Sequence, residues 1–137
     1  MALKQFPITE LIKAIQNRVR DGTGRKCLDH VERNEQSPFY YVEYRKSTPA
    51  NSKTMYVTDH LVYIHVIAEP TDSSVPVYQY IQELQEALTQ DIVIPEPYSL
   101  VMQTDNGVVT IYTDETNEKH GVVSFTFRVC YGYICKV

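Results

Sequence analysis

Four histidines, three cysteines and a cluster of acids are the side chains of this 137-residue chain that could do chemistry, and their spacing limits what they can do. His60 and His65 differ by an odd number within one apolar run. On a regular strand they point to opposite faces and cannot share an ion. His30 and His120 would have to converge from separate strands and loops. Cys130 and Cys135 are also oddly spaced, and Cys27 has no helix N-terminus beside it to favour a thiolate. The cysteines therefore read as small apolar groups, with no C-x-x-C pair to suggest a disulfide framework or a zinc knuckle. The run Asp114-Glu115-Thr116-Asn117-Glu118 places acidic oxygens close together, but it lacks the alternating acids, central glycine and distal glutamate of a calcium loop. A solvated turn is the reading, with weak divalent binding as the alternative. There is no G-x-S-x-G, Walker loop or G-x-G-x-x-G, and Gly22-Thr23-Gly24 follows a helix where a phosphate loop would open one. Nothing marks two of the 17 acids as sharing a cleft. The expectation is a chain with no catalytic residues, no cofactor and no metal.

Charge is the other chemical signal. The net formal charge is −4, yet residues 13–26 hold Lys13, Arg18, Arg20, Arg25 and Lys26 against Asp21 alone, which is +4 and leaves −8 elsewhere. Such a division suits nucleic acid or head-to-tail pairing of identical subunits, and cations near a helix C-terminus are favourable in any case. No aromatic interleaving or recognition helix accompanies the cations, and Tyr40, Tyr41 and Tyr44 lack the aromatic-glycine signature of an RNA-binding sheet. Nucleic acid is therefore an unlikely partner. No apolar run reaches the length needed to cross a bilayer, and the start MALKQFPITEL lacks the apolar core of a signal peptide. Cytoplasmic residence and no membrane partner are expected.

These residues must be held by elements that the periodicity predicts. Phe6, Ile8, Leu11, Ile12, Ile15 and Val19 repeat with a helical period, giving a helix over 8–20 that Gly22 and Gly24 end. Cys27–Glu32 alternates weakly as a strand, and Phe39–Arg45 is a stronger one, rich in aromatic residues. The polar stretch 46–54 should be the projecting loop of an antiparallel hairpin. Residues 59–88 form the centre: a strand apolar on both faces, a Pro-Thr-Asp-Ser-Ser turn, and a helix capped by Ser73 or Ser74 with Pro76 in its first turn. Val77, Tyr80, Ile81, Leu84, Ala87 and Leu88 give that helix one dry face, whose four large aliphatic residues are worth at most about 6–12 kcal/mol on burial. An extended connector, Ile92–Pro97, follows. Leu100–Thr104 and Val108–Tyr112, separated by Asp105-Asn106-Gly107, read as a tight hairpin. A polar loop over 114–120 leads to a last strand, with Val123, Phe125, Phe127 and Val129 on one face and Ser124, Thr126 and Arg128 on the other. The expected fold is α+β, a mainly antiparallel sheet with two helices on one face in the order α-β-β-β-α-β-β-β, as a single domain over 1–137.

Several stretches taken together resemble a known family. The first helix, the hairpin, the "H-x-V-x-I-x-V" type strand from His60, the helix ending L-x-x-A-L at Leu84–Leu88 and the closing HGVVSFTFRV from His120 are similar to tail-completion and tail-terminator proteins of long-tailed bacteriophages. The resemblance implies a non-enzymatic structural protein of the virion, a tail terminator or a head-to-tail joining protein. It implies a homo-oligomeric ring of about six copies with heterologous contacts in the assembled particle, bound to tail-tube or head-connector proteins, with a monomer in isolation as the alternative before assembly. The protein would be found in the host cytoplasm and then in the virion, with nucleic acid meeting it only as DNA passing through the ring. Candidate interface residues are Lys13, Arg18, Arg20, Arg25 and Lys26 in the basic stretch, Lys46, Asn51 and Lys53 in the hairpin, and Asp114, Glu115 and Glu118 in the acidic turn. The alternative is a soluble α+β binding module for nucleic acid or a small ligand.

Overall fold

The computed structural model describes residues 2–32 and 34–134, so Cys135 lies outside the described residues. The first helix, α1, spans Ile8–Thr23, with Pro7 as N-cap and Gly24 as C-cap. Gly24 sits at φ 74°, a conformation that favours glycine, and its N–H donates to the Arg20 carbonyl at 2.9 Å. The helix thus runs through Gly22, which was expected to end it. Gly22 lies where α1 crosses the second helix: a Cβ there would overlap Ala87 Cβ and come within 3.0 Å of Ala87 Cα. Close approach of two helices, and not termination, is what this glycine provides.

The strands are β1, Cys27–Leu28; β2, Phe39–Pro49; β3, Met55–Ile67; β4, Ser99–Thr113; and β5, Lys119–Tyr133. They form one sheet in the order β1-β2-β3-β5-β4, antiparallel throughout except for the short β1·β2 pair. The predicted strand over 27–32 is therefore only two residues long, and it is parallel to its neighbour. The second helix, α2, covers Val75–Ala87 with Ser74 as N-cap and proline in its first turn. Tyr40, Val42, Val62, Ile64, Val66, Val123, Phe125, Phe127 and Val129 share one face of the sheet, and α1 and α2 pack their buried residues on it. Val77, Ile81, Leu84, Ala87 and Leu88 are buried as the periodicity predicts. The α+β class and the two helices on one face are as expected. Ile8, expected on the dry face of α1, is 46% exposed.

One predicted element is absent. Asp105-Asn106-Gly107 does not turn the chain; β4 runs straight through it for 15 residues, so the order is α-β-β-β-α-β-β, one strand fewer. Asn106 is an extra residue in the ladder between Asp105 and Gly107, and Gly107 has φ 95°. This is a β-bulge, held by Asp105 Oδ1 accepting from Gly107 N–H at 2.7 Å and by Asn106 Nδ2 donating to Thr126 Oγ1 at 2.8 Å. A tight hairpin would pair the two halves of this stretch with each other. The long β5 instead offers both halves a partner at once, and so the pairing is longer. The β2–β3 hairpin is formed, but Lys46–Pro49 belong to β2 and pair with β3, so the loop is only residues 50–54. Likewise the acidic turn is residues 114–118, because Lys119 and His120 already belong to β5.

Candidate functional site

The predicted basic stretch is partly consumed by pairing within the chain itself. Arg25 pairs with Glu83 of α2, and its guanidinium lies 4.2 Å from the centre of the Tyr80 ring. Lys26 pairs with Glu35 and lies 5.7 Å from the centre of the Phe39 ring. Both tie α1's end to its neighbours. Arg18 is half-buried beside Glu83 and Glu86 in the cleft between the helices, Arg20 donates to Asn17 at 2.8 Å on the surface, and Lys13 is exposed. Only Lys13 and Arg20 of the five stand out in solvent without a carboxylate partner among the described residues.

The acidic turn is self-contained. Asp114 Oδ1 accepts from Thr116 N–H at 2.9 Å and Glu118 N–H at 3.0 Å, and its Oδ2 lies 2.6 Å from His120 Nε2. Burial opposes the Asp114 charge, but hydrogen bonds from Thr116 and Glu118 and the nearby His120 outweigh it, so its pKa lies below the ordinary value. Glu115 is exposed. At the hairpin tip Asn51 Oδ1 accepts from Val57 N–H at 2.8 Å, which fixes the loop, while Lys46 and Lys53 are exposed. The three predicted clusters do not come together as one site: the basic residues lie on and after α1, the acidic turn joins β4 to β5, and the tip joins β2 to β3.

The histidines divide as their spacing predicts. His60 lies on the helix side, near the Phe6 ring and 2.6 Å from Tyr44 Oη through Nδ1; burial lowers its pKa, with Asp59 pulling weakly the other way. His65 lies on the open face, stacked on Tyr41 at 4.1 Å, with Nε2 2.7 Å from Glu43. Its pKa is also lowered, mainly by burial, so the imidazole is neutral near pH 7 and donates from Nε2 to the carboxylate. On the same face Arg128 bonds Asp59 through Nε and Nη2 at 2.8 and 3.1 Å, and Arg45 bonds Glu43 at 2.7 Å. Among the described residues no three His, Cys, Asp or Glu side chains converge as metal ligands would. Cys27 and Cys130 are buried free thiols, and burial pushes the Cys27 thiol up to about 12, far from nucleophilic at neutral pH.

What this arrangement offers is surface: fixed ion pairs on an open sheet face and an exposed β4 edge. Residues 2–137 match a family described as putative tail termination proteins. The chain belongs to that family. Members of the tail termination family are structural proteins of the bacteriophage tail, and this chain is one of them. Among solved structures it is similar to a chain of a particle titled "Virion of native gene transfer agent (GTA) particle", with a TM-score of 0.68 and 18% identity over 90% of this chain and 96% of that one. At that identity the likeness shows a shared fold. No curated protein sequence matches the chain. Among the described residues no helix of this tail termination protein is long and apolar enough to cross a membrane.

Residues that the sequence reading missed are the apolar ones of β4. Val101, Met102, Val108, Val109, Ile111 and Tyr112 are all exposed. The available signal was a 15-residue run in which Asp105 is the sole acid or base.

Proposed function

We propose that this chain is a non-enzymatic tail terminator that acts as one domain and caps the end of a phage tail tube as a ring of identical copies. The match to the tail termination family over residues 2–137 carries this reading. It is supported by a surface of paired ions, Arg45 with Glu43 and Arg128 with Asp59, and by the lack of a metal-ligating cluster among the described residues. Ring closure requires one surface of a subunit to meet a different surface of the next. Lys13, Arg18 and Arg20 on α1, Lys46 and Lys53 at the hairpin, and the turn of Asp114, Glu115 and Glu118 are the charged groups proposed to meet neighbouring copies or the tube. The protein would assemble in the host cytoplasm and remain in the virion, with DNA passing through the ring.

The test is tube length. Purified protein added to polymerising tail-tube protein should bind tube ends and stop elongation, seen as shorter tubes by electron microscopy and as a bound ring by native mass spectrometry. Tubes that lengthen unhindered, with no protein at their ends, refute a terminator. Reversing the charge of Arg20, which is exposed, should leave folding intact and weaken assembly. Tight oligonucleotide binding with a steep salt dependence and no tube binding would favour a nucleic-acid module instead.

A further inference from the structure

The two edges of the sheet differ in character. At one edge β4 exposes Val101, Met102, Val108, Val109, Ile111 and Tyr112, each between 38% and 54% accessible. A free edge is a row of unpaired N–H and C=O groups, usually guarded by short length, lysine, proline or bulges. β4 is 15 residues long and has no lysine, arginine or proline. Its three bulges are its one guard, and they leave the apolar side chains uncovered. At the other edge β1 pairs with β2 only at Tyr40 and Tyr41, so β2 is open from Val42 to Pro49 among the described residues. On the helix side of that opening is a groove of about 460 Å³ lined by Ile8, Ile12, Lys13, Asp29, Val42 and Tyr44, its one cation being Lys13.

The edges match level for level. Successive strand partners run from Val42 through Ile64 and Val123 to Val108, and from Tyr44 through Val62 and Phe125 to Asp105. These rows lie on the face that carries the helices, since Val62, Ile64, Val123 and Phe125 belong to the core. β2 and β4 run in opposite directions. A second copy rotated to continue the sheet without a shift of register would therefore lay its β2 antiparallel to β4. Val108 would then fall beside the groove formed by Ile8, Ile12 and Val42, and Asp105 would fall near Lys13.

We propose that β4 of one copy docks on the open β2 edge and α1 groove of the next, Val108 entering the groove and Asp105 facing Lys13. This rests on the ring reading above and names the contact that closes it: a head-to-tail joint between unlike surfaces. It also gives Ile8, which the helical period places on the dry face yet is half exposed, a partner. The two-fold alternative, β4 on β4, would in its centred register bring two Asp105 carboxylates together and leave that groove empty.

Sedimentation velocity and native mass spectrometry of the full chain test this contact. Val108→Glu and Ile8→Glu alter exposed positions, so both variants should keep the wild-type circular dichroism and melting curve. Each should weaken self-association by at least about tenfold. Asp105→Lys and Lys13→Asp should each weaken it as well, and the double variant should restore it. Wild-type rings unaffected by any of these substitutions would discard the contact and leave the terminator reading standing. An Ile8→Glu variant that still dimerises in a Val108-dependent way would replace it with the two-fold pairing. A wild-type chain that stays monomeric both alone and at tube ends would overturn the contact and the ring together.

Discussion

Replacing Gly22 with alanine sets two known effects against each other. In the interior of a helix alanine is favoured over glycine by about 0.8–1.0 kcal/mol. At this position, however, the added methyl would overlap Ala87 Cβ and lie 3.0 Å from Ala87 Cα, with Arg18 Nη2 at 3.2 Å. Arg18 can swing aside, but the Ala87 atoms are fixed to α2's backbone and can yield only if the helices separate. Overpacking of this kind costs about 1–3 kcal/mol. The net expectation for Gly22→Ala is a loss of about 0–2 kcal/mol, read as a urea midpoint that does not rise, at unchanged m-value. Ala87→Gly removes the obstructing Cβ, so in that background Gly22→Ala should become neutral or stabilising, giving a coupling of about 1–3 kcal/mol in the double-mutant cycle. If Gly22→Ala stabilises the wild-type chain by the full propensity gain, the helices do not meet closely here and the account of Gly22 is wrong.

Three further outcomes are expected. Leu84 is wholly buried between α2 and the sheet, and Leu84→Ala should cost about 2–5 kcal/mol in the same urea assay; a cost below 1 would mean that α2 docks elsewhere. Gln103 donates to the Leu88 and Gln90 carbonyls at 2.8 and 2.9 Å and accepts from Ile92 N–H at 3.0 Å, so Gln103→Ala should cost about 1–3 kcal/mol and speed amide exchange at Ile92. His60 and His65 are both held below their ordinary pKa of 6.5, mainly by burial. The unfolded chain therefore takes up protons below about pH 6.5 that the folded chain does not, and stability should fall as pH drops through that window. Asp59, held low by Arg128, and Glu43, held low by His65, extend the loss as they protonate below about pH 4.5. The urea midpoint should be lower at about pH 5.5 than at about pH 7.5, and a rise on acidification would contradict the burial of the two imidazoles.

The two helices, the apolar face of β5 and the division of His60 from His65 were legible in the residues alone, because these depend on periods of 3.6 and 2 that each segment carries internally. The residues also carried the family resemblance, in the spacing of HGVVSFTFRV and of the helix ending at Leu88. The pairing of distant segments was left to the tertiary structure. Asn106-Gly107 has the local chemistry of a hairpin turn, and only the presence of the 15-residue β5 alongside converts it to a bulge. Gly22 has the chemistry of a helix stop, and only the crossing with Ala87 shows that a glycine is needed there for close approach. Arg25 and Lys26 looked available for a partner until Glu83, distant in the chain, and Glu35, across the bend after β1, took them up. The free β4 edge and the groove beside Val42 were equally invisible, since an edge exists only once strand order is set, and strand order is a property of long-range contacts that no local window contains.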